Sequence, residues 1–150
     1  LFFEESLFVV GSIEVEGIIQ DKYDYFELLV TDNIKAKGFR TESNSIIIGG
    51  ELSISEVICT GYHSSLTVEK GITTKLFLET DLLDLHGNLK ANYHFKNHIS
   101  STNYKTTNKK VLDKLNKILL PDLMKQAIES EEVPEKEILE FVNKGGNIFN

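Results

Sequence analysis

The sequence predicts a right-handed parallel β-solenoid followed by a C-terminal helical cap. Three observations lead there. Five segments repeat one apolar pattern, beginning at Leu7, Leu28, Ile46, Leu66 and Leu83, with starts 21, 18, 20 and 17 residues apart. Inside each segment apolar and polar residues alternate with the period of a strand, and a short polar turn divides the segment in two. From Lys109 the apolar period becomes helical. The chain has 150 residues, 41% of them hydrophobic and 26% charged, which is the composition of one globular domain with one core.

The first and third positions of the copies are Leu7 and Val9, Leu28 and Val30, Ile46 and Ile48, Leu66 and Val68, and Leu83 and Leu85. Turns follow at Gly11, Asp32-Asn33, Gly49-Gly50, Gly71 and Gly87, where glycine or asparagine supplies the positive φ that a sharp change of direction often needs. Alternation resumes at Ile13 and Val15, Ile34 and Ala36, Leu52 and Ile54, Ile72 and Thr74, and Leu89 and Ala91. A twelfth position holds Ile18, Phe39, Val57 and Phe77, and breaks at His94. Two short strands and a corner per repeat are what a solenoid coil requires, because each coil buries its inward row only against the coils above and below. The stretches Gln20 to Glu27 and Thr60 to Ser65 are expected as loops bulging from one edge. An antiparallel sandwich and a left-handed hexapeptide helix remain competing arrangements. The hexapeptide rule, visible at Leu7, Ile13 and Ile19, fails at Arg40.

The solenoid is assigned to residues 1–95, a connector to 96–108 and the helical cap to 109–150. Val111, Leu112, Leu115, Ile118 and Leu119 form the first helical stripe, with Thr107 and Asn108 as capping candidates. Pro121 interrupts it. A second short helix carries Leu123, Met124 and Ile128. A third begins near Pro134, turns Ile138, Phe141 and Val142 inward, and stops at Gly145-Gly146. Such helices are expected to cover an open solenoid end.

Net charge is −7, which opposes a general nucleic-acid-binding role and favours a basic protein partner. The charge is uneven: −9 over residues 1–87, +6 over 88–117 and −4 over 118–150. The lysine-rich middle segment, with Tyr93, Phe95 and Tyr104 interleaved, reads as a solvated connector and helix face. No run of apolar residues is long enough for a membrane-spanning helix. The single cysteine, Cys59, fits a reducing compartment, and a cytoplasmic location is expected.

No phosphate loop, nucleophile elbow, zincin or dinucleotide motif occurs, so neither an enzyme nor a cofactor is expected. His86, His94 and His98 lack an acidic or thiol ligand at close spacing, and no metal site is expected. Cys59 with His63 four residues later reads as a buried hydrophobe beside a loop histidine rather than a nucleophile pair. The surface expected to bind protein combines Glu14 and Glu16 with the aromatic residues Tyr23, Tyr25, Phe26 and Tyr62. Carboxylates steer a basic partner, and tyrosines give contact area at low entropic cost.

The copies, best seen in Leu7 to Gly17, follow a pattern close to L-x-V-x-G-x-I-x-V-x-G, and in this the chain resembles the bactofilin-like, polymer-forming cytoskeletal β-helix proteins of bacteria. The C-terminal EILEFVNKGGNIF also resembles the helical tail of a related subgroup. The resemblance implies a right-handed β-helix used for assembly or protein binding, in a bacterial setting, and brings no catalytic residue. The leading expectation is an immunity protein that neutralises a basic, secreted toxin domain. A self-assembling scaffold is the alternative, and a solenoid-fold enzyme comes last.

Overall fold

The stacking of like residues on like residues organises the molecule. The structure, a computed structural model, describes residues 1–21, 25–80, 82–97 and 104–150. Its strands are β1 (Phe2–Phe3), β2 (Leu7–Val9), β3 (Ile13–Glu14), β4 (Ile18–Asp21), β5 (Glu27–Val30), β6 (Ile34–Thr41), β7 (Ser45–Ile48), β8 (Glu51–Thr60), β9 (Ser65–Val68), β10 (Gly71–Thr80), β11 (Asp84–His86) and β12 (Leu89–Asn97). They form two sheets, a short-strand sheet in the order β2-β5-β7-β9-β11 and a long-strand sheet in the order β1-β4-β6-β8-β10-β12, with β3 also on β6. The pairings within both sheets are parallel. This is the parallel β-solenoid that the repeat predicts, with five rungs and four turns between them.

Registers follow the repeat closely. Val9, Val30, Ile48 and Val68 stack in one inward column, and Leu7, Leu28, Ile46 and Leu66 in a second. Ile13, Ile34, Leu52, Ile72 and Leu89 make a third. Both sheets contribute these residues to one core. Gly49 permits the close approach of consecutive rungs, since a Cβ there would lie 2.4 Å from the carbonyl oxygen of Thr31. At the turn into β10, Gly71 takes φ 123°, a conformation that suits glycine.

Three details differ from the repeat as read. In the fifth copy Leu85, not Leu83, stacks on Leu66, because the path from Leu85 to Leu89 is two residues shorter than the path from Leu66 to Ile72 on which it stacks. The corner column is Ile19, Phe39, Ile58, Phe77 and His94, so Ile18 and Val57 at the twelfth position belong to the opposite face. A bulge in β8 at Ser55-Glu56 adds one residue against both neighbours, so β8 keeps one parity inward throughout (Leu52, Ile54, Ile58) while β6 and β10 change theirs, from Ile34 and Ala36 to Phe39 and from Ile72 to Phe77. Of the stretches expected to bulge, Gln20, Asp21, Glu27, Thr60 and Ser65 are strand residues and Asp21, Thr60 and Ser64 are buried, while residues 22–24 lie outside the described residues.

The helices are α1 (Tyr104–Leu115), α2 (Pro121–Ser130) and α3 (Glu135–Asn143). Helix α1 starts before Lys109, which places Thr107 and Asn108 inside it rather than at its cap, and β12 extends to Asn97. Pro121 opens α2, where its missing N–H costs nothing. The helical tail packs on the solenoid, and what it covers is the outer face of the long-strand sheet. There Val57, Cys59, Leu76 and Leu78 join Leu115, Met124, Ile138 and Val142 in a second core, with Ile18 and Phe95 at its margins. Helix α3 lies against β4, β6 and β8, and α1 against β12. Gly38 is the point of closest approach: a Cβ there would sit 2.8 Å from Ile18 Cγ2 and 3.5 Å from Leu139 Cδ2 and Val142 Cγ1. The chain closes with an antiparallel bridge of Phe149 to Leu119.

Candidate functional site

The residues expected to form one acidic and aromatic surface do not converge. Glu14 and Glu16 are exposed at the start of the long-strand sheet, where β3 pairs with β6. Tyr25, Phe26 and Tyr62 belong to the corner at the far end of that sheet, beyond Thr41 and Thr60. The six residue steps from Lys35 to Thr41 separate the groups by about 20 Å of extended strand. Glu14 is also neutralised locally by Lys35, whose Nζ lies 2.7 Å from its carboxylate. Tyr25 is 72% exposed, whereas Phe26 and Tyr62 are only partly so. Tyr23, like His98, lies outside the described residues.

The corner itself is held by a polar ladder. Tyr25, Ser43 and His63 occupy equivalent places in successive rungs, all with φ near 59°. Beside them Thr41 donates its hydroxyl to Asp21 Oδ2 at 2.6 Å, and the Glu42 N–H donates to Asp21 Oδ1 at 3.0 Å. Burial pushes the Asp21 carboxyl above its ordinary range, although bonds from Thr41, Asn44 and the Glu42 amide pull the other way. Asn44 accepts from the Phe26 N–H. These groups satisfy one another and fix the turn.

The other chemistry-bearing residues are similarly occupied. Cys59 is sealed beneath the helical layer, where burial holds its thiol well above the ordinary cysteine range, while His63 is exposed and sits edge-on to Tyr62 at 4.1 Å. His94 bonds Glu79 and stacks edge-on against Phe77 at 5.1 Å, at the end of the corner column. His86 pairs with Asp84 at 3.1 Å on the other sheet. Among the described residues no cluster of three or more His, Cys, Asp or Glu is placed to hold a metal ion. No described helix is long and apolar enough to cross a membrane. An open trough of about 590 Å³ crosses the first half of the long strands, lined by Glu14, Glu16, Lys35, Lys37, Ser53 and Ser55 with its charges of both signs interspersed.

Two surfaces stand out. The first is the pair of solenoid ends. Strands β1 and β2 at one end, and β11 and β12 at the other, leave their outer edges unpaired among the described strands. Inward residues of the terminal rungs, Leu7, Val9, Ile13, Leu85, Leu89 and Ala91, are only partly buried. The two ends differ in charge. The first carries exposed Glu4, Glu5, Glu14 and Glu16, of which Glu14 pairs with Lys35, and the last carries exposed Lys90, Lys96 and Asp84, of which Lys96 pairs with Glu79, with Lys109 and Lys110 on the adjoining α1.

The second is the outer face of the short-strand sheet. Phe8, Leu29 and Ile47 stack on it in register, 64%, 37% and 42% exposed, and the row continues through Thr67 and His86. Sequence reading passed over this row, although its signal was present: Leu7 to Val10, Leu28 to Val30 and Ile46 to Ile48 are unbroken apolar runs where a half-solvated strand would alternate. No protein-family model, curated protein or solved structure matches this chain.

Proposed function

We propose that the chain is a non-catalytic protein-binding solenoid that assembles through its terminal rungs, the first rung of one copy receiving the last rung of another. The observation that carries this reading is the pair of unpaired ends with half-buried inward rows and opposite charge. The outer edges of β1, β2 and β3 at one end and of β11 and β12 at the other offer the next chain backbone donors and acceptors, beside apolar columns that continue its own. Acidic against basic ends set the polarity of the contact, and a head-to-tail contact that does not close on itself propagates. Sedimentation velocity and electron microscopy of the intact chain test it. Oligomers should lengthen with concentration and shorten as salt rises, and Lys109→Glu with Lys110→Glu should weaken them. A strictly monomeric chain at high concentration and low salt would overturn it.

A second reading, an immunity protein against a basic toxin domain, is favoured by the net −9 of residues 1–87. It expects a salt-sensitive complex with a basic protein, weakened by Glu14→Lys and Glu16→Lys, formed by a chain that does not polymerise.

A further inference from the structure

We infer that His94 makes the end-to-end joint sensitive to protons: with a neutral imidazole the last rung accepts the first rung of the next copy, and protonation releases it. The inference rests on the assembly proposed above and names its regulation. The corner column carries it. Ile19, Phe39, Ile58 and Phe77 stack there in register, all fully buried, and His94 takes the fifth place. Its ring meets Phe77 edge-on at 5.1 Å, and its side chain is 43% exposed. His94 is therefore the surface on which the continuing column of another copy would rest. Among the described inward residues of that rung, Leu85, Leu89 and Ala91 are apolar and partly buried, and His94 alone is ionisable.

The charges around the ring set the sign. Glu79 on β10 bonds His94 Nε2 through Oε2, and its Oε1 accepts from Lys96 Nζ at 3.1 Å. On α1, the Lys114 ammonium lies over the neighbouring Phe95 ring, 5.9 Å from its centre. A neutral imidazole donates its Nε2–H to Glu79, whose carboxylate then balances Lys96. A second proton, on Nδ1, leaves two cations on one carboxylate, with Lys114 a third cation nearby. Seating another rung on that group takes an unbalanced charge out of water, whereas a neutral, hydrogen-bonded ring is covered at little cost. Carboxylates of the incoming end do not offset it. Phe2 stacks on Gln20, so Glu4 and Glu5 come three and four residues past the place above Ile19, and Glu16 and Glu14 come three and five residues before Ile19. Three residues of strand are about 10 Å, a full screening length at 0.1 M salt.

Sedimentation velocity of the intact chain at about pH 8 and about pH 5.5, at one ionic strength, tests this across the range in which histidine changes charge. The weight-average size should fall by about half or more on acidification, with circular dichroism showing a folded chain at both values. His94→Phe continues the column of Phe39 and Phe77 and should assemble equally at both. His86→Gln alters the other histidine of the last rung, which pairs with Asp84 on the short-strand sheet, and should keep the response of the unaltered chain. His94→Gln supplies a second neutral side chain should His94→Phe fail to fold. Assembly that ignores pH, that grows in acid, or that stays equally sensitive in the folded His94 variants overturns the inference and leaves end-to-end assembly standing. A chain that is monomeric at both values overturns the two together.

Discussion

Ile47 and Ile48 are chain neighbours with opposite fates, and replacing each in turn tests the phase of the whole solenoid. Ile48 is fully buried in the column between Val30 and Val68, while Ile47 is 42% exposed on the outer face. Truncating a fully buried isoleucine to alanine costs about 2–5 kcal/mol, transfer and cavity together. At about 2–4 °C per kcal/mol for a chain of this size, Ile48→Ala should lower the melting temperature by about 10 °C. Ile48→Asp adds the several kcal/mol of an unpaired buried carboxylate, which exhausts a total stability of about 5–15 kcal/mol. We expect no folded protein from it. Ile47→Ala loses a side chain already half in water, about 1 kcal/mol or less, and Ile47→Asp should fold. Thermal and urea melts followed by circular dichroism read all four variants. Similar losses at both positions, or a larger loss at Ile47, would show that the inward row is mis-phased, since a one-residue slip exchanges the two faces of every strand.

Gly38→Ala drives a methyl into the contact with Ile18, Leu139 and Val142, so it should cost about 1–3 kcal/mol and loosen α3; the checkable sign is a rise in Cys59 reactivity toward a thiol reagent under native conditions. Deleting residues from Val111 onward should yield an aggregating chain, because Val57, Leu76 and Leu78 lose their cover; a soluble, monomeric product by light scattering contradicts this. The raised carboxyl of Asp21 predicts that its contribution to stability is greatest in acid. The folded chain then holds a proton that the unfolded chain has released, so stability falls as pH climbs from the ordinary value of 3.8 through the raised folded one, and levels off above it. In Asp21→Asn that component of the slope should vanish from urea melts taken across acid pH, and an unchanged slope assigns it to other groups.

Period-two alternation made the solenoid legible, because the inward columns Leu7 to Leu66 and Val9 to Val68 rest on the same residue types rung after rung. A fixed repeat position cannot register a bulge, however. The extra residue at Ser55-Glu56 puts the third copy's inward corner residue at Ile58, one position later than Phe39 and Phe77 in their copies, and in sequence Val57, Ile58 and Cys59 form one apolar run in which inner and outer residues look alike. The same ambiguity hid the helical cover, since Leu76, Phe77 and Leu78 serve two cores in turn. The fifth copy was misplaced by two residues because Leu83 and Leu85 have equal parity, and only the length of the following turn separates them. Of the candidate surface, exposure of Glu14, Glu16 and Tyr25 was readable from composition and parity. Their distance from one another was not, because it is set by strand length.

A bare stack of rungs behaves like a row of dominoes, each unit answering only to its neighbours, and frays from the ends. The helical layer changes that. Ile18 from the first rung, Val57 from the third, Leu76 from the fourth and Phe95 from the fifth share one cluster with α1 to α3. The helices thus act as a splint laid along the whole stack, and loosening either end strips support from the other, so melting becomes concerted. The splint is also a gauge. An additional rung would carry β12 about 4.8 Å away from helices whose opposite end is anchored on β4. The number of rungs in this chain is therefore tied to the length of its helical tail, and the two can lengthen only together.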